Sequence, residues 1–526
     1  MFRRNRMARG AVLTLGLPRI VALAAILSFG GAAPASAASY SPGAAGLGDR
    51  LNPGIGNGGY DVQDYDLRLR YATADPAQPL QGDETIVARA TQGLSQFNLD
   101  FAGKSIGSVS VNGRAAAFKR TGEELIVTPA RPIDNGATFT VVITDFVAVP
   151  TKITLNIHTS TFFVTPDGSA TGPQPYDAHL IYPCNDHPRD KATFTFTIDV
   201  PEGRDAVANG VQTGHTTSNG RTIWTYRMAQ PMATELTQIA VGDWDFGPSV
   251  QHGSVTIRDV TAPSITAEMQ PVFALTEAQL DWMEARVGPF PFDTYGTLVV
   301  NAPDLYLQLE TQSITLTEVG FFHRHPQQAF WGPAQLHELA HSWFGDSVSP
   351  YSWSDYWLNE GHAMWYQWTY AEDTGQLVGA TEGFPDPQGY ATLDELMRGV
   401  YAHGDEWRKT SGPVALPKSG AVLKLSSYQV YYGGALVLYA LRQKIGNAAF
   451  EQVERTWVQR YRDGVASTDD FIALATEMSG DRSVTPFLRD WVYGDKTPPM
   501  PGHPDWTVNP VGSITTTSST EAVPGF

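Results

Sequence analysis

Apolar and polar residues alternate in the first half of the chain, which is the pattern of half-buried strands. Residues 65–71 and 194–200 show this period of two most clearly. Many similar short runs follow each other, separated by Gly, Asn or Pro, and Asn112-Gly113 is a hairpin turn signal. The pattern predicts an N-terminal β-sandwich-like domain over residues 60–250.

After residue 250 the apolar residues recur at helical spacing instead. Helices are predicted at 265–286, 334–345, 355–370, 433–445, 448–461, 468–478 and 483–491. Residues 295–301 predict a strand among them. The fold class is therefore multidomain, with the β domain followed by a helix-rich α+β domain over residues 251–498. The Thr- and Ser-rich residues 499–526 predict a flexible tail.

The N-terminus carries several arginines, then an apolar stretch, then small residues ending at Ala35-Ser36-Ala37. This order is typical of a secretory signal peptide over residues 1–37. Arg19 interrupts the apolar stretch and disfavours a membrane span, and Arg3-Arg4 leaves a twin-arginine route open. We therefore expect a secreted or periplasmic protein. The Gly-, Ala- and Ser-rich residues 38–59 predict a flexible leader.

The exported chain is strongly acidic. Of the 36 basic residues, five are arginines in residues 1–37, so 31 basic and 54 acidic residues remain, a net charge of −23. Such a charge disfavours nucleic acid and anionic membranes as partners. The single cysteine, Cys184, excludes an intrachain disulfide, and a chain of this length can bury a large core without one.

One segment has the spacing of metal ligands. In His337-Glu338-Leu339-Ala340-His341, the two histidines are four residues apart and lie on one face of a helix. A catalytic zinc needs a third protein ligand, and Glu360 stands early in the next helical pattern, which Ser352 and Asp355 can cap. Mixed imidazole and carboxylate ligands suit zinc. The spacing predicts one Zn²⁺ per chain held by His337, His341 and Glu360.

Glu338 lies beside the first ligand but is not itself a ligand in this arrangement. A carboxylate there can take a proton from water as the water attacks a carbonyl group. Glu338 is therefore the predicted catalytic base of a hydrolase. The structural alternative is a surface helix that carries solvated histidines and an ordinary carboxylate.

The motifs together resemble a known family. HELAHSWFGD (337–346), WLNEG (357–361) and YPCNDHP (182–188) are similar to segments of the gluzincin metallo-aminopeptidases, the group of aminopeptidase N and the leukotriene hydrolase type. The resemblance covers roughly residues 60–498. It implies a β domain packed on a thermolysin-like catalytic domain, in a short two-domain form without the C-terminal helical domain of many members.

The resemblance also implies further functional residues. Glu310 stands where the family has a glutamate that holds the substrate's α-amine, although the Gly and Asn around that glutamate are replaced here. Tyr431 stands at the catalytic tyrosine that hydrogen-bonds the tetrahedral intermediate, with Tyr428 and Tyr432 as neighbouring alternatives. Gln174 resembles a second amine contact from the β domain, and the alternative for it is a loop glutamine without a ligand.

The resulting hypothesis is a secreted zinc metallo-aminopeptidase. It would hydrolyse N-terminal residues from peptides with a free N-terminus, by attack of metal-activated water. A zinc endopeptidase or an epoxide hydrolase could use the same site. From another class, a catalytically silent peptide-binding homologue is the alternative. The retention of Glu338, Glu310 and Tyr431 favours the enzyme.

Overall fold

The computed structural model describes residues 39–75, 77–152, 161–302, 308–383, 388–418 and 426–509. The predicted signal peptide, residues 1–37, lies outside them. Tyr40–Phe526 form one compact unit. The boundary between residues 250 and 251 stays a prediction.

The N-terminal half consists of strands, as the period of two predicted. Its strands are β1 (Ser41–Pro42), β2 (Tyr60–Tyr71), β3 (Leu80–Ala90), β4 (Leu94–Asp100), β5 (Ser108–Val111), β6 (Arg114–Ala115), β7 (Ala117–Thr121), β8 (Glu124–Thr128), β9 (Thr138–Ala148), β10 (Thr151–Lys152), β11 (Phe162–Val164), β12 (Gly168–Thr171), β13 (Ala192–Pro201), β14 (Asp205–Ala208), β15 (Val211–Ser218), β16 (Arg221–Met232), β17 (Ile239–Gly242), β18 (Asp245–Phe246), β19 (Val250–His252), β20 (Val255–Ile257) and β21 (Val260–Thr261). Inward side chains of successive strands meet in the core, where the rings of Tyr60, Phe97 and Phe139 form edge and tilted contacts.

Three sheets contain the strands β1 to β17. One has eight strands in the order β15-β16-β13-β2-β3-β9-β5-β6, and a second has four in the order β1-β4-β8-β7. The third, β10-β11-β12-β17-β14, carries two segments that reach the candidate site. They are the loop after β12, which contains Gln174, and the short 3₁₀ turn Thr234–Leu236 before β17.

The C-terminal half is rich in helices. They are α1 (Thr266–Phe273), α2 (Thr276–Val287), α3 (Val319–Arg324), α4 (Gln328–His341), α5 (Trp357–Asp373), α6 (Leu377–Thr381), α7 (Leu393–Ser411), α8 (Tyr428–Ile445), α9 (Asn447–Arg460), α10 (Thr468–Ser479) and α11 (Val484–Tyr493). The remaining strands are β22 (Thr294–Tyr295), β23 (Thr297–Val300), β24 (Gln308–Leu309), β25 (Thr315–Glu318), β26 (Val348–Pro350) and β27 (Gly464–Ala466). None of the helices within the described ranges is long and apolar enough to cross a membrane.

The helix predictions differ from the structure in a few places. The helix predicted at 265–286 is interrupted after Phe273, two residues beyond Pro271, whose ring removes a helical hydrogen bond. The 19-residue helix α7 was missed, although Thr392 and Glu395 form a capping box at its start. The helix predicted at 334–345 begins earlier, at Gln328, so Pro333 lies inside α4.

The described parts of the predicted leader and tail make specific contacts with the rest of the protein, and their flexibility stays a prediction. In the leader, the amide side chain of Asn57 donates to Asp100 at 3.0 Å, and the main-chain nitrogen of Trp353 donates to Asp49 at 2.9 Å. In the tail, the ring of Trp506 stacks on Tyr439 at a centroid distance of 5.9 Å. Buried polar partners and an aromatic contact hold segments whose composition alone suggested mobility.

Candidate active site

Two neighbouring helices bring the three predicted metal ligands together. His337 and His341 lie one turn apart at the C-terminal end of α4, and Glu360 lies in the first turn of α5. Nε2 of His337 is 3.2 Å from Oε2 of Glu360, and Nε2 of His341 is 3.4 Å from the same oxygen. All three side chains are buried, and their ligand atoms lie within 4.8 Å of one another.

The side chain of Asp355 holds the 3₁₀ turn Trp353–Asp355, which lies directly before α5. Its Oδ2 accepts from the main chain and hydroxyl of Ser352, which completes a capping box. Its Oδ1 accepts from the main chain and hydroxyl of Thr468 at 2.8 and 2.7 Å. Asp355 therefore anchors the turn that leads into the helix carrying Glu360.

The geometry of the three ligands fits a zinc ion. Tetrahedral zinc with ligand bonds of about 2.0–2.1 Å spaces neighbouring ligand atoms about 3.3 Å apart, close to the two distances above. Nδ1 of His337 is 3.0 Å from Oε1 of Gln367, and Nδ1 of His341 is 3.1 Å from the main-chain oxygen of Phe344. Because these oxygens only accept hydrogen bonds, each Nδ1 donates its proton to them, and Nε2 is the nitrogen left to offer a lone pair to a metal.

The electrostatics of the cluster favour a bound cation. Burial, together with nearby His341, lowers the pKa of His337 to about 4. Burial opposes the ionisation of Glu360, but His341 and hydrogen bonds from both imidazoles outweigh it and lower the Glu360 pKa. Burial also disfavours protonated His341, yet the charges of Glu310 and Glu360 raise its pKa well above the usual range. The carboxylates of Glu310, Glu338 and Glu360 thus surround the imidazoles in a water-poor site, an arrangement that suits a divalent metal.

Glu338 presents an unused carboxylate oxygen next to the ligands. Its side chain is 3% exposed, and Oε2 has no hydrogen-bond partner among the described residues. Ligand atoms of Glu338, Glu310 and His341 lie within 4.8 Å of one another. Burial raises the pKa of Glu338 well above its usual range. A buried carboxylate with a free oxygen and a raised pKa can exchange a proton with a group that enters the site.

A close helix crossing places Tyr431 at the site. A Cβ atom on Gly361 of α5 would lie 2.9 Å from the backbone of Gly434 in α8, so only glycines allow this approach. Tyr431, one turn before Gly434, lies parallel to the ring of His337, with a centroid distance of 6.1 Å. Its hydroxyl hydrogen-bonds Glu360.

The two neighbouring tyrosines point elsewhere. Tyr428 contacts Trp407 at a centroid distance of 5.6 Å, and Tyr432 contacts Trp368 at 4.8 Å. Of the three predicted alternatives, Tyr431 is the one that the structure places beside His337.

Glu310 and Gln174 meet although they come from different halves of the chain. Glu310 directly follows the edge strand β24 and is 4% exposed. The amide nitrogen of Gln174 donates to Oε1 of Glu310 at 2.6 Å. Burial raises the pKa of Glu310. The β domain and the helix-rich half thus both contribute to this part of the site.

Three residues at the site were not found from the sequence. Gln367 lies two turns after Glu360 on the same face of α5, and this spacing could have indicated it. Tyr356, which is buried and also hydrogen-bonds Glu360, comes just before α5 and carried no comparable signal. Glu235 is buried in the 3₁₀ turn of the β domain and hydrogen-bonds Gln174.

Comparison with known proteins places these residues in a family context. Residues 334–491 match the Peptidase family M1 domain, and residues 62–236 match the Peptidase M1 N-terminal domain. Aminopeptidase N of Streptomyces lividans is 26% identical over 60% of this chain and 37% of that protein. Leucine aminopeptidase 2 of Yarrowia lipolytica is 26% identical over 81% of this chain and 65% of that protein. The chain spans less than two thirds of the length of these two relatives.

A solved structure is similar over nearly its whole length. The M1 zinc metallopeptidase from Deinococcus radiodurans superimposes with a TM-score of 0.72 at 29% sequence identity, over 87% of this chain and 99% of that chain. A mutant of that enzyme bound to a Tyr-Ser-Ala substrate gives the same values.

Proposed function

Because the chain belongs to peptidase family M1, we propose that it is a zinc aminopeptidase that removes N-terminal residues from peptides. The observation that carries the proposal is the buried contact between Gln174 and Glu310 beside the metal ligands. A carboxylate held there can bind an α-ammonium group, which an internal peptide bond lacks. A buried carboxylate without a neighbouring cation destabilises the protein, and a bound α-ammonium group would supply that cation.

The comparisons confirm three predictions made from the sequence: the family, the fold and the metal. The resemblance to metallo-aminopeptidases is confirmed by both domain matches. The β-rich domain followed by a helix-rich catalytic domain matches the solved M1 structure. Zinc as the cofactor is confirmed because the family and its structural neighbour are zinc enzymes.

In the proposed reaction each residue has a separate task. When bound, zinc supplies Lewis-acid chemistry that polarises a carbonyl group and makes water a better nucleophile. Glu338 takes the proton from the attacking water and passes it to the leaving amine nitrogen. The hydroxyl of Tyr431 donates a hydrogen bond to the carbonyl oxygen as negative charge develops on that oxygen.

Glu310 and Gln174 set the register of the substrate. When the α-ammonium is bound at Glu310, the first peptide carbonyl is the one that lies at the metal site formed by His337, His341 and Glu360. Peptides are the proposed substrates, and the Tyr-Ser-Ala complex of the Deinococcus enzyme supports that class. The same contact argues against the endopeptidase and epoxide hydrolase alternatives, which need no ammonium site.

A panel of fluorogenic aminoacyl substrates tests the proposal. Hydrolysis should stop after exhaustive chelation and return with zinc, while a quenched peptide blocked at both ends should resist cleavage. Cleavage of the blocked peptide would favour the endopeptidase. Zinc binding without any hydrolysis across the panel would favour the silent peptide-binding homologue.

We also propose export of the protein, supported by the arginines, apolar stretch and small residues of positions 1–37. The mature protein should then begin at Ala38. N-terminal sequencing of protein from the culture fluid and the periplasm tests this, and a full-length chain retained in the cytoplasm contradicts it.

A further inference from the structure

Glu235 is a buried carboxylate next to the proposed amine contact. It lies in the 3₁₀ turn before β17 and is 2% exposed. Its Oε2 has no hydrogen-bond partner among the described residues, and the nearby amide of Gln174 favours its ionised form. The nitrogen of that amide donates to Glu310 at 2.6 Å.

The position of Glu235 is fixed from both sides. On one side, the hydroxyl of Thr234 donates to Asp186 at 2.8 Å. On the other, the amide of Asn209 donates to the main-chain oxygens of Leu236 at 2.9 Å and Gln312 at 2.7 Å. Asn209 therefore ties the turn that carries Glu235 to the segment that carries Glu310.

The nearest buried cation does not neutralise Glu235. Lys191 lies close enough to interact with its charge. However, the ammonium of Lys191 donates to the main-chain oxygens of Asp346, Ser347 and Gly464 at 2.7, 2.8 and 3.3 Å. A lysine has three donors, so none is left for Glu235.

The geometry lets one ligand nitrogen reach both acids. The amide of Gln174 donates to Glu310 at 2.6 Å and also interacts with the carboxylate of Glu235, so both acids lie beside one amide group. An ammonium between them can therefore bond to both. Such a cation relieves the cost of burying two neighbouring carboxylates, since burial and the charge of Glu310 both raise the pKa of Glu235.

We propose that Glu235 is a second carboxylate of the amine site, so that the α-ammonium of the substrate's first residue is held between Glu235 and Glu310. This inference rests on the proposed aminopeptidase function and adds a binding residue to it. The sequence offered no signal for Glu235, because the turn and the edge strand meet only in the folded protein.

The test compares two ligands that differ only in the amine. L-Leucine and its deamino twin, isocaproate, are titrated by calorimetry into zinc-loaded protein. The ratio of their dissociation constants measures what the ammonium contributes to binding. Replacing Glu235→Gln should reduce this ratio about tenfold, because a charge-assisted bond becomes a neutral one. The affinity for isocaproate should stay unchanged.

Controls separate recognition from structure. Glu235→Asp keeps the charge and should retain more of the ratio than Glu235→Gln. Glu84→Gln is a matched control, because Glu84 is also buried and neither of its carboxylate oxygens has a partner among the described residues, but it lies in β3. Zinc content and thermal melting of each variant establish that it is folded and loaded.

The outcomes distinguish this inference from the proposed function. A wild-type ratio near one shows that no amine is recognised, which overturns both. A large wild-type ratio that Glu235→Gln leaves unchanged overturns the role of Glu235 alone. Equal weakening of both ligands also overturns it and makes Glu235 a structural residue. Weakened hydrolysis of Lys- and Arg-substrates alone contradicts the α-ammonium assignment, because it places Glu235 at the side chain of the first residue.

Discussion

Replacing Glu338→Gln should remove most of the turnover while the fold and the zinc ligands stay intact. Glutamine has nearly the same shape as glutamate but cannot accept the proton of the attacking water. Oε2 of Glu338 has no hydrogen-bond partner among the described residues, so the substitution breaks no recorded bond of that oxygen. The loss should therefore be chemical rather than structural.

The size of the loss follows from what the variant keeps. His337, His341 and Glu360 still bind zinc, and Tyr431 still faces the site, so only the proton transfer is lost. A positioned general base contributes roughly 10²–10⁴-fold, which corresponds to about 2.7–5.4 kcal/mol in the activation free energy. Glu338→Asp keeps the charge but withdraws it by one methylene, and a displacement of about 1 Å can cost about 10²-fold.

The assay measures kcat and KM for an aminoacyl substrate, with zinc content and thermal melting of the same samples. We expect a large loss in kcat at full zinc content for Glu338→Gln and a smaller one for Glu338→Asp. If Glu338→Gln keeps more than about a tenth of the wild-type kcat, Glu338 is not the base. If the loss of kcat instead parallels a loss of bound zinc or a lower melting temperature, the chemical explanation is refuted.

Three further substitutions test the surroundings. Tyr431→Phe should lower kcat with little change in KM, because the hydrogen bond of its hydroxyl to the substrate forms mainly in the transition state. Tyr356→Phe, which removes the other phenol beside Glu360, should lower kcat less. A larger loss of kcat in Tyr356→Phe would move the role to Tyr356. Gln367→Leu should weaken zinc binding about 10–100-fold in chelator competition, whereas Gln367→Glu should not; equal affinities would show that this hydrogen bond is unimportant. Gly434→Ala places a Cβ atom 2.8 Å from the backbone of α5 and should lower the free energy of unfolding by about 1–3 kcal/mol. Gly433→Ala, whose new Cβ atom meets only a flexible side chain, should lower it less. Unchanged stability of Gly434→Ala in denaturant unfolding would contradict the tight helix crossing.

The sequence predicted those features that depend on local pattern. The period of two and the helical spacing indicated a β domain followed by a helix-rich domain. The interval between His337 and His341 indicated a shared helix face, and the family resemblance indicated Glu310 and Tyr431. In each case residues close along the chain, or a whole motif, carried the information.

Features that depend on contacts between distant segments were not predictable. Glu235 and Glu310 come together in the folded protein, where Asn209 bonds to both of their segments. The composition of residues 38–59 gave no sign that Asn57 has a buried partner in Asp100, 43 residues further along the chain. Long-range polar pairs of this kind have no periodic signature in the sequence.

The central claim is that a free N-terminus selects the bond that is cleaved. The most direct test incubates the zinc-loaded protein with a short peptide and with its N-acetylated twin, and follows both by mass spectrometry. The account predicts stepwise loss of single residues from the free peptide and no cleavage of the acetylated one. Equal cleavage of both peptides, or cleavage at an internal bond, would contradict it.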